Sequence, residues 1–191
     1  MAPSRRAPQY EPRALTRSLV SRLRYGDVRA GELLHELYYE AILRYCRHRL
    51  SHAEDAEDAV QNAFVSVLAS QEIPDDFRAW LYTIARNECN MALRRRARQK
   101  DGEALPPESR IVARTSGVAT KLGRSEQRSR VRGLLMELPE MYREPLYLRY
   151  VHGLSWREIG QVLDISETVV KSRLCEGLEK LRGDVSQLEQ K

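Results

Sequence analysis

The sequence predicts an all-α protein of two small helical domains joined by a flexible linker, on three observations. Apolar residues recur at spacings of three and four in segment after segment, and no run alternates with the period of a strand. Residues 101–125 break that pattern with Pro106, Pro107 and three Gly, the composition of a tether. Charge falls in blocks: residues 1–24 hold six Arg against one Glu, residues 25–77 four Arg against eleven acids, and residues 78–100 seven Lys or Arg against one Glu. Charge segregated in this way suits a protein that meets nucleic acid on one surface and a basic protein partner on another.

A chain of 191 residues with 42% apolar and 31% charged residues can bury the cores of one large or two small domains. No stretch approaches 18 apolar residues, and the N-terminal MAPSRRAPQYEPR has no apolar core, so neither a membrane span nor secretion is expected and the cytoplasm is the default location. Cys46, Cys89 and Cys175 are odd in number and form no CxxC pair, which disfavours a disulfide framework and a zinc site alike. Cys46, His48 and His52 are neighbours in sequence, but residues two apart do not share a helix face and no fourth ligand is evident. No metal and no cofactor is expected. A Gly-rich phosphate loop and a nucleophile elbow are also lacking, so the reading is non-enzymatic.

Residues 1–12, with three Pro and no periodicity, are expected to be a disordered arm. A helix is expected from Arg13 to Tyr25, broken by Gly26 and Asp27. Leu33, Leu34, Leu37, Tyr38, Ala41, Ile42, Tyr45 and Leu50 then define a long amphipathic helix from about Ala30 to Leu50. Ser51 and His52 precede a third helix whose buried side would carry Ala56, Ala59, Val60, Ala63, Phe64, Val67 and Leu68. Glu54, Asp55, Glu57 and Asp58 suit the dipole at its start, the plain explanation; the sharper one is an acidic docking face that includes Asp58, Gln61, Asn62 and Val65.

After a loop at 71–76, Asp75 or Asp76 should cap a helix with Phe77, Trp80, Leu81, Ile84 and Ala85 on its core side. That helix ends in Arg94, Arg95, Arg96, Arg98 and Lys100, more cation than a helix C-terminus needs and a call for a polyanion such as DNA phosphate. Beyond the linker a helix is expected to resume near Glu126 and carry Val131, Leu134, Leu135 and Leu138, stopping at Pro139. Residues 140–151 form the next helix, with Pro145 expected to be tolerable only in a first turn.

The most informative stretch is LSWREIGQVLDISETVVKSRLCEGLEKLR, Leu154 to Arg182. Ser155 and Glu158 have the spacing of a capping box, and Trp156, Ile159, Val162 and Leu163 give the short helix one buried side. Asp164 and Ile165 make the turn, and Ser166 caps a second helix with Val169, Val170, Leu174, Leu178 and Leu181 mostly on one face. Thr168, Lys171, Ser172 and Arg173 stand between those positions and are types that bond phosphates and base edges. A short helix, a tight turn and a longer helix with a polar, basic face is the helix-turn-helix pattern, and 17 residues to Arg182 span about 25 Å, enough to cross a major groove. Taken alone, the pattern also fits an ordinary amphipathic pair whose cations serve solubility.

Two motifs together resemble a bacterial sigma factor of the extracytoplasmic-function class: DAEDAVQNAF followed by FRAWLYTIARN is similar to the second conserved region, and LPEMYREPLYLRYVHGLSWREIGQVLDISETVVKSR to the fourth. With the helix at 30–50 they cover about two thirds of the chain in the family's order. The resemblance implies domains at 13–100 and 126–182, with a tail at 183–191. It implies RNA polymerase core as partner, through the largest subunit's clamp helices and the flap, with Asp55, Asp58, Gln61, Asn62 and Val65 as contacts on the first. It implies promoter DNA as the second partner, an anti-sigma protein as a further one, and no membrane insertion.

Around the minus ten element the resemblance implies Trp80, Tyr82, Arg86, Asn87, Asn90, Arg94, Arg95 and Arg96. Trp80 and Tyr82 could stack on bases or pack the core. The loop at 71–76 corresponds to one that captures a flipped base. In the minus thirty-five element the implied readers are Ser166, Glu167, Thr168, Lys171, Ser172 and Arg173. The chain departs from the family pattern at Asp164 and Thr168, where Gly is frequent, at Glu176, where Arg is common, and at Met91, often Asp. The competing reading is a self-sufficient helix-turn-helix regulator binding duplex DNA as a dimer, against which stands the lack of a dimerisation heptad.

Overall fold

The computed structural model describes residues 13–101 and 133–188, with side chains through Arg98 in the first stretch and Gly183 in the second. The expected arm, the linker beyond Asp101, the helix start near Glu126 and the last three residues lie outside the described residues. The described residues contain helices and no strand, in two compact units.

The first unit is α1 (Arg13–Arg24), α2 (Val28–Arg49), α3 (Ala53–Ala69) and α4 (Phe77–Asp101). Gly26, at φ 82°, turns the chain out of α1, and Asp27 caps α2 by accepting from the Ala30 amide. The Arg22 guanidinium beside it, together with that amide, holds the Asp27 carboxyl below its ordinary range. α2 is the central rod: Leu34, Tyr38, Ile42, Tyr45 and Cys46 are all buried. α3 presents Ala56, Ala59 and Ala63, small side chains that let it lie close to its neighbours. α4 meets α2 through two edge-on aromatic pairs, Tyr38 with Phe77 at 5.5 Å and Tyr45 with Tyr82 at 5.4 Å, each contributing about 0.5–1.5 kcal/mol beyond its burial.

Cys46 and Cys89 are buried together, and the hydrogen bond between them, with burial, pushes the Cys46 thiol far up, leaving it an inert core group. Leu68 departs from the expected buried stripe and is 63% exposed: it lies one residue from the end of α3, over Gly31 of α2, where it borders an open apolar cleft.

The second unit has residues 133–137 in a helical stretch, then α5 (Glu140–Tyr150), α6 (Trp156–Leu163) and α7 (Glu167–Leu188). Its core is Leu134, Leu138, Leu146, Leu148, Leu154, Ile159, Val162, Val170 and Leu174. Pro145 lies beyond the first turn of α5, contrary to expectation: the amides of Tyr142 and Arg143 already bond to the Pro139 carbonyl, so the ring occupies the second turn, buried. The cost of its missing N–H falls on the Met141 carbonyl, near the exposed start of the helix. Gly153, at φ 65°, ends α5 with the Leu154 amide bonded back to the Leu148 carbonyl at 3.0 Å. α7 extends six residues past the expected end at Arg182 and, at 22 residues, is about 33 Å long.

Candidate functional site

In the second unit α6 is fixed at its start by a capping box and at its end by a tight turn into α7. Ser155 and Glu158 form the capping box from both sides, at 3.2 Å and 2.7 Å. Asp164 takes the left-handed conformation at φ 55°, ψ 50°, the one residue other than Gly with positive φ among the described residues. The Ile165 amide then bonds to the Gly160 carbonyl at 3.0 Å. Gly160 is there because the returning chain leaves no room: a Cβ would stand 2.7 Å from the Ile165 carbonyl oxygen.

That turn aims the start of α7 outward. Ser166, Glu167, Thr168, Lys171 and Ser172 are exposed and Arg173 is half-buried, so the six expected readers share one accessible end of the helix. Two are partly occupied. The Ser166 hydroxyl accepts from the Val169 amide at 3.3 Å as the N-cap, and Ser172 donates its proton to Glu176 at 2.6 Å. Glu176 also accepts from the Tyr142 hydroxyl at 2.9 Å, and the Ser172 and Tyr142 bonds hold its carboxyl below the ordinary value. The departure at Glu176 therefore braces α7 against α5, and Ser172 is left with an acceptor oxygen, suited to a base amine rather than a phosphate.

Two apolar expectations on this unit fail. Val169 is exposed, and Trp156 is 42% exposed, with the Lys171 ammonium 4.5 Å from its ring centroid and the Arg149 guanidinium at 5.8 Å. As the first residue of α6, Trp156 projects past the end of the buried stripe that Ile159 and Val162 continue.

In the first unit the basic end of α4 is accessible at Arg94, Arg95 and Arg98. Asn87 is exposed, Arg86 is half-buried, and Asn90 is half-buried with its amide oxygen accepting from Arg49 at 2.9 Å. Arg96 does not stand free with the others: it is ion-paired to Asp55 of α3. Tyr82 is 1% exposed and packed against Tyr45, so in this fold it is a core residue and no base can stack on it. Trp80 is half-buried, 6.0 Å from Phe77, which leaves one part of its ring accessible.

On α3, Asp58, Gln61, Asn62 and Val65 are exposed and Asp55 is half-buried. A polar cleft of about 220 Å³ runs between α3 and α4, lined by Asp55, Asp58, Asn62, Glu88, Arg95 and Arg96. In the loop at 71–76, Ile73 is the one buried side chain. Arg24 of α1 donates to the Ile73 carbonyl at 2.8 Å and to Asp75 at 2.7 Å. Sequence reasoning missed Trp156, Arg24 and the Asp55–Arg96 pair; each depends on residues 15 to 51 positions apart, beyond the reach of any helical spacing.

Residues 34–99 match the family Sigma-70 region 2, and residues 128–181 match Sigma-70, region 4. The ECF RNA polymerase sigma factor ShbA of Streptomyces griseus is 31% identical over 177 residues, 86% of this chain and 92% of its own length. The ECF RNA polymerase sigma factor SigW of Bacillus subtilis is 29% identical over 179 residues, 88% of this chain and 96% of its own. Among solved structures, CnrH in complex with the cytosolic domain of CnrY has a similar fold, with TM-score 0.66 at 24% identity over 91% of this chain and 98% of that one.

Proposed function

The chain belongs to the sigma-70 family, among its extracytoplasmic-function members, and on that premise we propose how its two units divide the work of binding RNA polymerase core, recognising a promoter and opening it. The exposed acidic and amide face of α3, at Asp58, Gln61, Asn62 and Val65, docks on the clamp helices of the polymerase. The basic end of α4, at Arg94, Arg95 and Arg98, tracks the phosphates of the melted minus ten strand, while Asn87 and the accessible part of Trp80 meet its bases. The start of α7 enters the major groove at the minus thirty-five element.

The observation that carries this reading is the α6–α7 turn, which leaves Glu167, Thr168 and Lys171 exposed on one helix end with no competing role in the core. Each contact surface is small, so affinity comes from holding both through one polymerase, which makes the second binding event intramolecular. An anti-sigma protein is the further partner we propose. The protein acts without catalysis of its own and in the cytoplasm; no described helix is long and apolar enough to cross a membrane.

Co-purification with core polymerase followed by run-off transcription from a promoter library tests the whole. Retardation of promoter DNA that is equal with and without core, and never leads to initiation, would discard it in favour of a stand-alone regulator. Asp58→Arg is expected to cut core binding while leaving the helical circular dichroism unchanged; normal core affinity would remove the acidic face as the dock. Arg173→Ala is expected to weaken use of the upstream element by about 1–3 kcal/mol if it reads a base, seen as a flattened preference at one position of the library.

A further inference from the structure

We propose that Trp156 is a positioning residue for promoter recognition: its exposed ring holds the Lys171 ammonium at the DNA-facing edge of α7. The inference rests on the sigma-factor reading and gives Trp156 a role that the motif did not supply.

Three elements converge on this ring. Trp156 is the first residue of α6, Lys171 lies in the second turn of α7, and Arg149 comes from the end of α5. The Arg149 guanidinium is itself fixed by donating to the Leu154 carbonyl at 2.8 Å. Trp156 is 42% exposed, so burial accounts for only part of the ring, and the open part is where the two cations lie. The π-face attracts a cation without satisfying its hydrogen bonds, unlike a carboxylate, so all three ammonium donors of Lys171 stay available to an anion. A free lysine side chain at this position would sample many rotamers and lose them on binding phosphate; one already resting on an indole loses fewer. Lys171 is thereby prepared for a phosphate contact beside the groove that Glu167 and Thr168 face.

The test uses full-length protein with core polymerase and a labelled duplex selected by the wild-type holoenzyme from a randomised promoter library. Affinity is measured across a series of salt concentrations for Trp156→Ala, Trp156→Phe, Trp156→Leu, Lys171→Met and the Ala/Met double variant. Trp156→Ala is expected to weaken binding about two- to five-fold, the size of an exposed cation–π contact. It should also flatten the salt dependence by up to the slope of one phosphate contact, about 0.9. Phe should restore most of the loss and Leu should not, and the Ala change should have no further effect once Lys171 is Met.

The proposal is overturned if Leu behaves as Trp, if the Ala loss persists beside Lys171→Met, or if Ala binds as well as or better than wild type. A wild-type holoenzyme that selects no promoter would instead defeat the sigma-factor reading itself. Melting temperatures of all variants separate unfolding from lost contact, since a purely structural ring would lower stability without altering the salt slope.

Discussion

Gly160→Ala is expected to weaken use of the upstream promoter element by about 1–2 kcal/mol while leaving polymerase binding by the first unit in place. An added Cβ would sit 2.7 Å from the Ile165 carbonyl oxygen, and that neighbour is backbone, so no rotamer change can relieve the clash. Alanine's better helix propensity returns about 1 kcal/mol, but overpacking costs about 1–3 kcal/mol and here can be relaxed only by opening the turn. Opening it breaks the Ile165 amide's bond to Gly160 and swings the start of α7 out of register with the groove. Hydrogen exchange at α6 and α7 in the full-length protein should quicken, with α2 and α3 unchanged. A variant that keeps wild-type exchange and upstream-element preference would show that the close approach carries no constraint.

Tyr82→Ala is expected to destabilise the first unit by about 3–5 kcal/mol, the range for emptying a buried aromatic site. The ring is fully enclosed and stacked edge-on against Tyr45, at the α2–α4 contact. Asn87→Ala, about a turn and a half further along α4 and exposed, should stay within about 0.5 kcal/mol of wild type in denaturant unfolding while weakening capture of the melted strand. Were Tyr82 a base-stacking residue instead, its removal would spare stability and cost about 1–3 kcal/mol in single-strand binding. The pair of variants therefore sorts the two roles by which measurement moves.

These two residues mark where the sequence could be read and where it could not. Helical spacing located all the long helices to within two or three residues at most ends, and the Ser155–Glu158 box and the Asp164 turn could be read because capping and left-handed geometry are local. The face of α4 was harder. Its core stripe is crossed by Tyr82 and Cys89, and its second half is polar nearly all round, so periodicity could not say which aromatic turned inward. Tyr82 was settled by Tyr45, 37 positions away on another helix.

The same limit explains Arg96. A run of arginines looks uniform in sequence, yet Asp55 withdraws one of them and leaves Arg94, Arg95 and Arg98 outward. Leu68 and Trp156 look core-bound by spacing, but each lies at the end of its helix, where only part of the side chain is covered.

The hold of Arg24 on the loop between α3 and α4 has a thermodynamic consequence. With the Ile73 carbonyl and the Asp75 carboxylate both engaged by one guanidinium, that segment gives up much of its freedom when the chain folds. If the loop takes up an extruded base, as the family resemblance implies, the nucleotide would meet a receptor already near its final shape, and less of its stacking energy would be spent on ordering protein. On that condition Arg24 of α1, about fifty positions from the loop it holds, would influence how readily a strand stays open.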